Sequence, residues 1–295
     1  MTQKTLALNG PHAGVTLGYL DWGAPDAERV VVCVHGLTRN AHDFDVLAEA
    51  LAGHGARVLA VDVVGRGQSS WLADPNGYAV PNYVSQFVQF LMQLELPIVD
   101  WIGTSMGGYI GMVLAASETP PIQRLILNDV GPFVPQRALK QLQTYLGLDH
   151  LFANLDELER HLRFIHAPFG KLTDQQWRHL AVHSARETPE GLRLHYDPAI
   201  AVMYAEAAKG DIDLWPLWDQ IKVPTFLLHG SESTLVSAAT VAEMRRRGPK
   251  AQVATFLNVG HAPALMSRDQ ILTIERWLEL RPPAHAAEEP ARSAG

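Results

Sequence analysis

The chain has 295 residues, of which 47% are hydrophobic and 19% charged, and its formal net charge is −7. This composition is typical of a folded globular protein and excludes a disordered or fibrous chain. The negative charge argues against nucleic acid or an anionic membrane surface as a partner. A single cysteine, Cys33, excludes an internal disulfide, and neither a signal peptide nor an apolar membrane span is recognisable. We therefore expect a cytoplasmic protein.

Short apolar runs of strand length alternate with segments of helical periodicity along most of the chain. Residues 15–23 alternate like a half-exposed strand, and five later runs are continuously apolar, as in parallel strands buried on both faces: RVVVCVHG, RVLAVDVVG, PIVDWIG, RLILNDVG and VPTFLLHG. Helices are predicted between them at residues 44–51, 83–94, 106–116, 238–247 and 270–280. This alternation predicts an α/β fold with an open, doubly wound, mostly parallel sheet.

Residues 132–213 interrupt this alternation. They contain no recognisable strand, but they include four amphipathic stretches: RALKQLQTYLGL, LDELERHLRFI, DQQWRHLAVHSA and AIAVMYAEAAKG. We expect a helical cap here, inserted into a core of residues 1–131 and 214–280 and lying over the strand ends where ligands bind in such sheets. Residues 281–295, rich in Pro, Ala and charge, are expected to form a disordered tail.

Ser105 lies in the pattern Gly103-Thr104-Ser105-Met106-Gly107, between a predicted strand and a predicted helix. A serine on such a sharp turn is held in a strained conformation with its hydroxyl exposed, and glycines two residues away let neighbouring backbone approach closely. The helix beyond it begins with unpaired N–H groups that can stabilise an oxyanion. The pattern predicts a nucleophilic serine.

A nucleophilic serine requires a base and oxyanion donors. His261 follows the last predicted strand and precedes the last helix, which is the most suitable position among the 13 histidines. His35 and Gly36 end an early strand, where the backbone N–H of Leu37 could join that of Met106 as the second oxyanion donor. His35 itself is expected to bond a neighbouring loop.

These residues together resemble the α/β-hydrolase fold family, specifically its members with a cap. The resemblance extends from about residue 5 to residue 280 and includes His35-Gly36, the loop DVVGRGQSS, the turn at Ser105 and the segment GHAPALM with His261. It implies an eight-stranded sheet, with Ser105 as nucleophile, His261 as base, and Leu37 and Met106 as oxyanion-hole residues. It further implies a small-molecule acyl substrate and neither a cofactor nor a metal.

The resemblance also implies an acid that orients His261, the third member of a Ser-His-acid triad. This acid is missing from its usual place. The family usually has an aspartate three or four residues after the glycine of PTFLLHG, where this chain has Ser233 and Thr234. Asp129, at the end of the strand that follows the nucleophile helix, is favoured as the replacement because some family members carry their acid there. Glu232 is the alternative, and a third alternative is that no acid is present.

Other residues are weaker candidates. Arg39 and Asn40 follow the oxyanion strand, and four aromatic residues flank the elements expected around the site, so these residues and His35 are candidates for the pocket wall; the aromatic residues are Trp71, Tyr78, Phe133 and Trp215. His179 and His183 share a helix face at metal-ligand spacing, but no glutamate accompanies them as in zinc proteases, and ordinary histidines are expected.

The sequence therefore predicts a serine hydrolase that cleaves a carboxylic ester or a related acyl substrate through an acyl-enzyme. Two alternatives stay open. One is a C–C bond hydrolase of ring-cleavage products, and the other is a ligand-binding protein of this fold with low turnover, which the missing loop aspartate would explain. The oligomeric state is not determined by the sequence, and a homodimer is one option.

Overall fold

The computed structural model describes residues 1–280, and the predicted tail, residues 281–295, lies outside them. Twelve strands occur in the described part of the chain: β1 (Thr2–Ala7), β2 (Thr16–Trp22), β3 (Val30–Val34), β4 (Arg57–Val61), β5 (Val99–Thr104), β6 (Ile122–Asn128), β7 (Phe133–Val134), β8 (Ala185–Thr188), β9 (Gly191–Leu194), β10 (Ile212–Asp213), β11 (Thr225–Gly230) and β12 (Gln252–Phe256). The helices are α1 (Asp45–Gly53), α2 (Val80–Gln93), α3 (Met106–Ala115), α4 (Gln136–Gln143), α5 (Leu155–Ile165), α6 (Asp174–Ser184), α7 (Ile200–Ala207), α8 (Trp215–Trp218), α9 (Ala238–Arg246) and α10 (Arg268–Trp277).

Eight of these strands form the main sheet, in the order β1–β2–β4–β3–β5–β6–β11–β12. The pairs β1–β2 and β2–β4 are antiparallel, and the other neighbours are parallel. The five continuously apolar runs are β3, β4, β5, β6 and β11, which confirms the predicted mostly parallel sheet. The sequence pattern does not predict β1, because its segment TQKTLA is polar and mostly exposed at the edge of the sheet.

Alternating side chains of the buried strands face two apolar cores on opposite sides of the sheet. In β3, Val32 and Val34 pack into one core, whereas Val31 and Cys33 pack into the other. Residues of α2, α3, α8 and α9 cover the first core, and residues of α1 and α10 cover the second. Burying one such side chain contributes about 1.5–3 kcal/mol, so these runs strongly favour helices on both faces. Among residues 1–280, no helix combines the length and hydrophobicity that crossing a bilayer requires.

Residues 132–213, here called the inserted segment, connect the adjacent strands β6 and β11 and contain α4 to α7. The expectation that this interval has no strand is wrong. β8 and β9 form an antiparallel hairpin, and β7 pairs with β10 where the segment leaves and rejoins the sheet domain, the name used here for residues 1–131 and 214–280. The strands are too short and, in β8, too charged to give a recognisable period-two pattern, which explains why the sequence does not reveal them.

Candidate active site

Ser105 occupies the turn between β5 and α3. Its φ of 51° lies in the left-handed region, which is unfavourable for a residue with a side chain. The tight packing of the turn explains the flanking glycines. A Cβ on Gly107 would lie 2.1 Å from the carbonyl oxygen of Val34, and one on Gly103 would lie 2.3 Å from the carbonyl carbon of Gly107. The turn therefore presents Ser105 to the space between the sheet edge and the inserted segment.

His261 lies between Ser105 and Asp129. Its Nε2 is 3.1 Å from the Ser105 Oγ, and its Nδ1 is 2.9 Å from the Asp129 Oδ2. Asp129 is fully buried, so its carboxylate favours a proton on the facing Nδ1. With Nδ1–H donating to Asp129, the lone pair of Nε2 faces the Ser105 hydroxyl. This is the geometry that proton abstraction from a serine requires.

The Asp129 carboxylate receives two further hydrogen bonds from β11 and the loop after it. The backbone N–H of Gly230 donates to Oδ1 over 3.0 Å, and the Ser233 hydroxyl donates to Oδ2 over 2.6 Å. Ser233 thus occupies one of the positions where the family resemblance places the acid, and it bonds the acid supplied by β6. Glu232 is exposed, and among the described residues no hydrogen bond connects it with His261. The structure places Asp129, rather than Glu232, beside the imidazole.

Leu37 and Met106 line the same cavity as Ser105, and their backbone N–H groups are the predicted oxyanion donors. Among the hydrogen bonds of residues 1–280, none is donated by either group, so both are available to an oxyanion. Arg66, which the sequence analysis does not single out, is fully buried and donates from Nε to the Leu37 carbonyl oxygen over 2.8 Å. This bond orients the peptide unit that follows Leu37. The motif DVVGRGQSS, which contains Arg66, was the sequence signal that could have indicated this residue.

His35 is a structural residue at the end of β3. It is completely buried, with Nδ1 2.7 Å from the Gly36 carbonyl oxygen and Nε2 accepting the Val63 N–H over 2.9 Å. Burial lowers the pKa of His35 to about 3, so the ring is neutral at physiological pH. The expectation that it bonds a neighbouring loop agrees with these contacts, and it does not line the pocket.

Two cavities meet at Ser105 and Leu37. The larger, of about 300 Å³, is walled mainly by apolar and aromatic side chains of α2, α3, α4 and α7. The smaller, of about 120 Å³, also contains His261 and is bordered by several polar side chains, namely Arg39, Gln141, Tyr145, His166 and Thr234. A carbonyl group beside Ser105 could therefore direct its two substituents into chemically different compartments.

Of the predicted pocket residues, Arg39 and Tyr78 line these cavities, and the others lie elsewhere. Asn40 is buried and caps the turn at residues 41–44. Trp71 is 41% exposed, with Arg186 over its ring. Val134 lines the larger cavity in place of its neighbour Phe133, because adjacent residues in a strand face opposite sides. Trp215 packs against Trp218 and Arg247.

The sequence analysis missed most of the wall of the larger cavity. Tyr109 lies one helical turn after Ser105 in α3, and its hydroxyl is buried without a hydrogen-bond partner among the described residues. Met203 and Tyr204 come from α7, whose sequence IAVMYAEA is apolar on nearly every face. An apolar helix of this kind within the inserted segment is the sequence signal that could have indicated a cavity wall.

A family model described as alpha/beta hydrolase fold matches residues 29–265. The chain belongs to the α/β-hydrolase family. A 3-hydroxybutyrate-oligomer hydrolase of Cupriavidus necator is 43% identical over 264 residues, which are 86% of this chain and 90% of that protein. An esterase of Mycobacterium tuberculosis is 28% identical and covers 81% of this chain and 80% of its own length.

The fold of this family is also evident from solved structures. An alpha/beta hydrolase from Novosphingobium aromaticivorans superposes with a TM-score of 0.83 at 31% identity, covering 95% of this chain and 98% of that structure. E-2-(acetamidomethylene)succinate hydrolase has the same TM-score, 0.83, at 21% identity, with 94% and 99% of the two chains covered, and shows the fold alone. With hydrolase and esterase relatives across most of its length, the chain is a hydrolase, which confirms the prediction from its motifs.

Proposed function

We propose that the protein is a serine hydrolase that cleaves esters of short 3-hydroxy acids. The observation that carries this proposal is the hydrogen-bonded series Ser105–His261–Asp129, beside the backbone N–H groups of Leu37 and Met106, which donate no hydrogen bond within residues 1–280. A nucleophile, a base, an orienting carboxylate and oxyanion donors in contact are the parts that acyl transfer to serine requires.

In the proposed reaction, His261 Nε2 takes the proton of Ser105 as Oγ attacks the ester carbonyl carbon. The N–H groups of Leu37 and Met106 hold the resulting oxyanion, and Asp129 stabilises the imidazolium. His261 then gives its proton to the leaving alkoxide, which departs as the alcohol. Water, deprotonated by the same imidazole, attacks the acyl-enzyme and releases the acid and the free Ser105.

The substrate class is supported by the relative that acts on 3-hydroxybutyrate oligomers and by the two cavities at Ser105. A cavity of about 300 Å³ is large enough for a short acyl chain. Its buried Tyr109 hydroxyl has no partner among the described residues and would pair with an oxygen on the acyl chain. The smaller cavity, with Arg39 and His166 in its wall, would take the hydroxy-acid half that leaves as the alcohol.

Matched ester substrates test this proposal. We expect steady-state kinetics to give a kcat/KM for 3-hydroxybutyryl esters at least about tenfold above that for butyryl esters with the same leaving group. Tyr109→Phe should remove most of this preference, because it deletes one buried hydrogen bond and little volume. Ser105→Ala, the control, should abolish both turnover and labelling by a fluorophosphonate probe.

Three outcomes would contradict the proposal. Equal rates on both ester series, unaffected by Tyr109→Phe, would leave an esterase without the proposed 3-hydroxyacyl specificity. Hydrolysis of vinylogous diketones without ester hydrolysis would assign C–C bond cleavage instead. Neither labelling nor turnover would indicate a ligand-binding protein that has kept the fold.

A further inference from the structure

Three histidines and an aspartate meet where the inserted segment packs against the sheet domain. His42 lies in the turn at residues 41–44 and Asp45 begins α1, so these two side chains come from the sheet domain. His179 and His183 lie one helical turn apart on α6 of the inserted segment. The sequence alone shows only the pair on α6, since the fold is needed to bring His42 and Asp45 to it.

The side chains of this cluster are in close contact. His42 Nδ1 is 2.8 Å and His179 Nε2 is 3.3 Å from the Asp45 Oδ2. The rings of His42 and His183 are stacked with their centroids 3.6 Å apart, and the ring of His179 lies 4.6 Å from that of His183. One ligand atom from each of His42, Asp45 and His183 fits within a mutual distance of 4.8 Å.

Imidazole nitrogens and a carboxylate oxygen are a donor set that borderline transition metals prefer. Metal–ligand bonds of about 2.0–2.2 Å place two tetrahedral ligands about 3.4 Å apart, so modest side-chain rotations would bring these donors to one ion. We propose that His42, Asp45 and His183 bind a divalent transition metal ion such as Zn²⁺, with His179 as a further ligand. The proposal does not rest on the proposed ester hydrolysis.

The electrostatics of the cluster agree with a metal site. The Asp45 Oδ1 is buried and has no hydrogen-bond partner among the described residues, so it retains a free lone pair. Nearby Arg39 is paired with Asp43, which limits its repulsion of a cation.

The position of the site links it to the loop that carries Leu37. Asn40 Nδ2 donates to the His183 carbonyl oxygen over 2.8 Å, and Arg39 Nη1 donates to the Ser184 Oγ over 2.7 Å. A bound ion would therefore add a further connection between α6 and the stretch from Arg39 to Asp45, beside the contacts that His179 and His183 already make with His42 and Asp45. Metal binding should stabilise the packing of the inserted segment on the sheet domain.

The test uses the full chain without an affinity tag, stripped of metal by a chelator. We expect isothermal titration with ZnCl₂ to show one ion bound per chain, and Co²⁺ to give a visible d–d absorption band. His42→Gln and His183→Gln should each weaken Zn²⁺ binding at least about tenfold and remove the Co²⁺ band. A matched control is His150→Gln with His161→Gln, a histidine pair whose rings lie 5.2 Å apart elsewhere in the inserted segment.

The proposal is overturned if the parent binds no Zn²⁺ and gives no Co²⁺ band, a result that depends on no variant. It is also overturned if the His42→Gln/His183→Gln double variant binds as tightly as the parent. In that case the cluster is a stacked imidazole contact held by Asp45 alone. Loss of binding in the control pair with retention in the double variant would place the ion elsewhere. None of these readouts depends on hydrolysis, so they are separate from the proposed function.

Discussion

At the scale of single residues, the arrangement of Asp129 and Ser233 explains how the chain lacks the usual loop acid yet has a carboxylate beside His261. β6 and β11 are parallel neighbours, so their carboxyl ends lie at the same edge of the sheet. An acid after either strand is close to the same imidazole. Ser233, with its hydroxyl on the Asp129 carboxylate, fills the space that an acid after β11 would occupy.

Replacing Asp129 by Asn tests the assignment of the acid. Asn tolerates the left-handed φ of 50° at this position, so the fold should persist. We expect kcat to fall on the order of 10⁴-fold, because an amide cannot stabilise the imidazolium and favours the wrong tautomer of His261. Circular dichroism and ester hydrolysis measured on the same sample check both expectations.

The control for this substitution is Glu232→Gln, which changes the alternative acid in the exposed loop. Its activity should equal that of the parent. A large loss in Glu232→Gln, with Asp129→Asn fully active, would reverse the assignment.

The sequence singled out Ser105 and His261 through local motifs and chain order, and the structure brings the two side chains into contact. It favoured Asp129 as the acid but kept Glu232 and the absence of any acid as alternatives, because distance along the chain does not reveal which strand ends are neighbours. The residues predicted to line the pocket were mostly wrong, since only Arg39 and Tyr78 line the cavities at Ser105. Trp71 and Phe133 are near the site in sequence, but the direction of a side chain depends on the packing of the elements around it.

At the scale of elements, the position of Ser105 depends on how closely α3 approaches the end of β3. Gly107 lies in the first turn of α3, where the missing side chain lets the helix contact the Val34 carbonyl oxygen. The approach fixes the distance between the Met106 and Leu37 N–H groups, which belong to α3 and to the loop after β3. Helix packing and the geometry of the proposed oxyanion hole are therefore coupled.

Gly107→Ala should destabilise the protein by about 3 kcal/mol or more, because its Cβ would overlap backbone that cannot move independently. Gly53→Ala is a matched control at the end of α1, where a Cβ would meet no atom within 4 Å. It should be neutral or stabilising by up to about 1 kcal/mol, since alanine favours the helix. Urea unfolding midpoints provide the comparison, and equal midpoints would refute the role given to close packing at Gly107.

Strands buried on both faces were predictable from continuous apolar runs, and long helices from their periodicity. The pattern is weak for β1, which is polar and mostly exposed at the edge of the sheet, and for the two short strands of the β8–β9 hairpin. Four residues give too few repeats for a period to be recognised. Tertiary contacts, rather than local sequence, determine such elements.

At the scale of the whole molecule, stability should depend on pH through histidines that are buried and neutral. Burial lowers the pKa of His35 to about 3, and burial with Arg39 nearby lowers the pKa of His166 well below its usual value. The unfolded chain binds protons at these residues near pH 6.5, whereas the folded chain does not. Their contribution to stability is therefore complete above pH 6.5 and is lost as the pH falls toward the folded pKa.

His35→Gln tests this contribution. Each such histidine should add a slope of about 1.4 kcal/mol per pH unit between its folded and unfolded pKa values. Glutamine can accept the Val63 N–H but does not titrate, so the variant should lose about this slope between pH 6 and pH 4. Free energies of unfolding measured across this range check it, with exposed His150→Gln as a control that should match the parent. A variant with an unchanged slope would show that His35 is protonated in the folded state.

The ladder between β7 and β10 has a consequence for how proteins of this architecture diversify. It joins Val134 to Ile212 and Phe133 to Asp213, so some eighty residues leave the sheet domain and return to it through one narrow stem. The strands on either side, β6 and β11, are already partners, and their pairing does not depend on what the stem carries. Insertions, deletions or exchange of the segment can therefore change the shape of the cavities at Ser105 while leaving in register the sheet edge that carries Ser105, Asp129 and His261. In evolution, the cavity walls that the inserted segment supplies can therefore change independently of the side chains at Ser105.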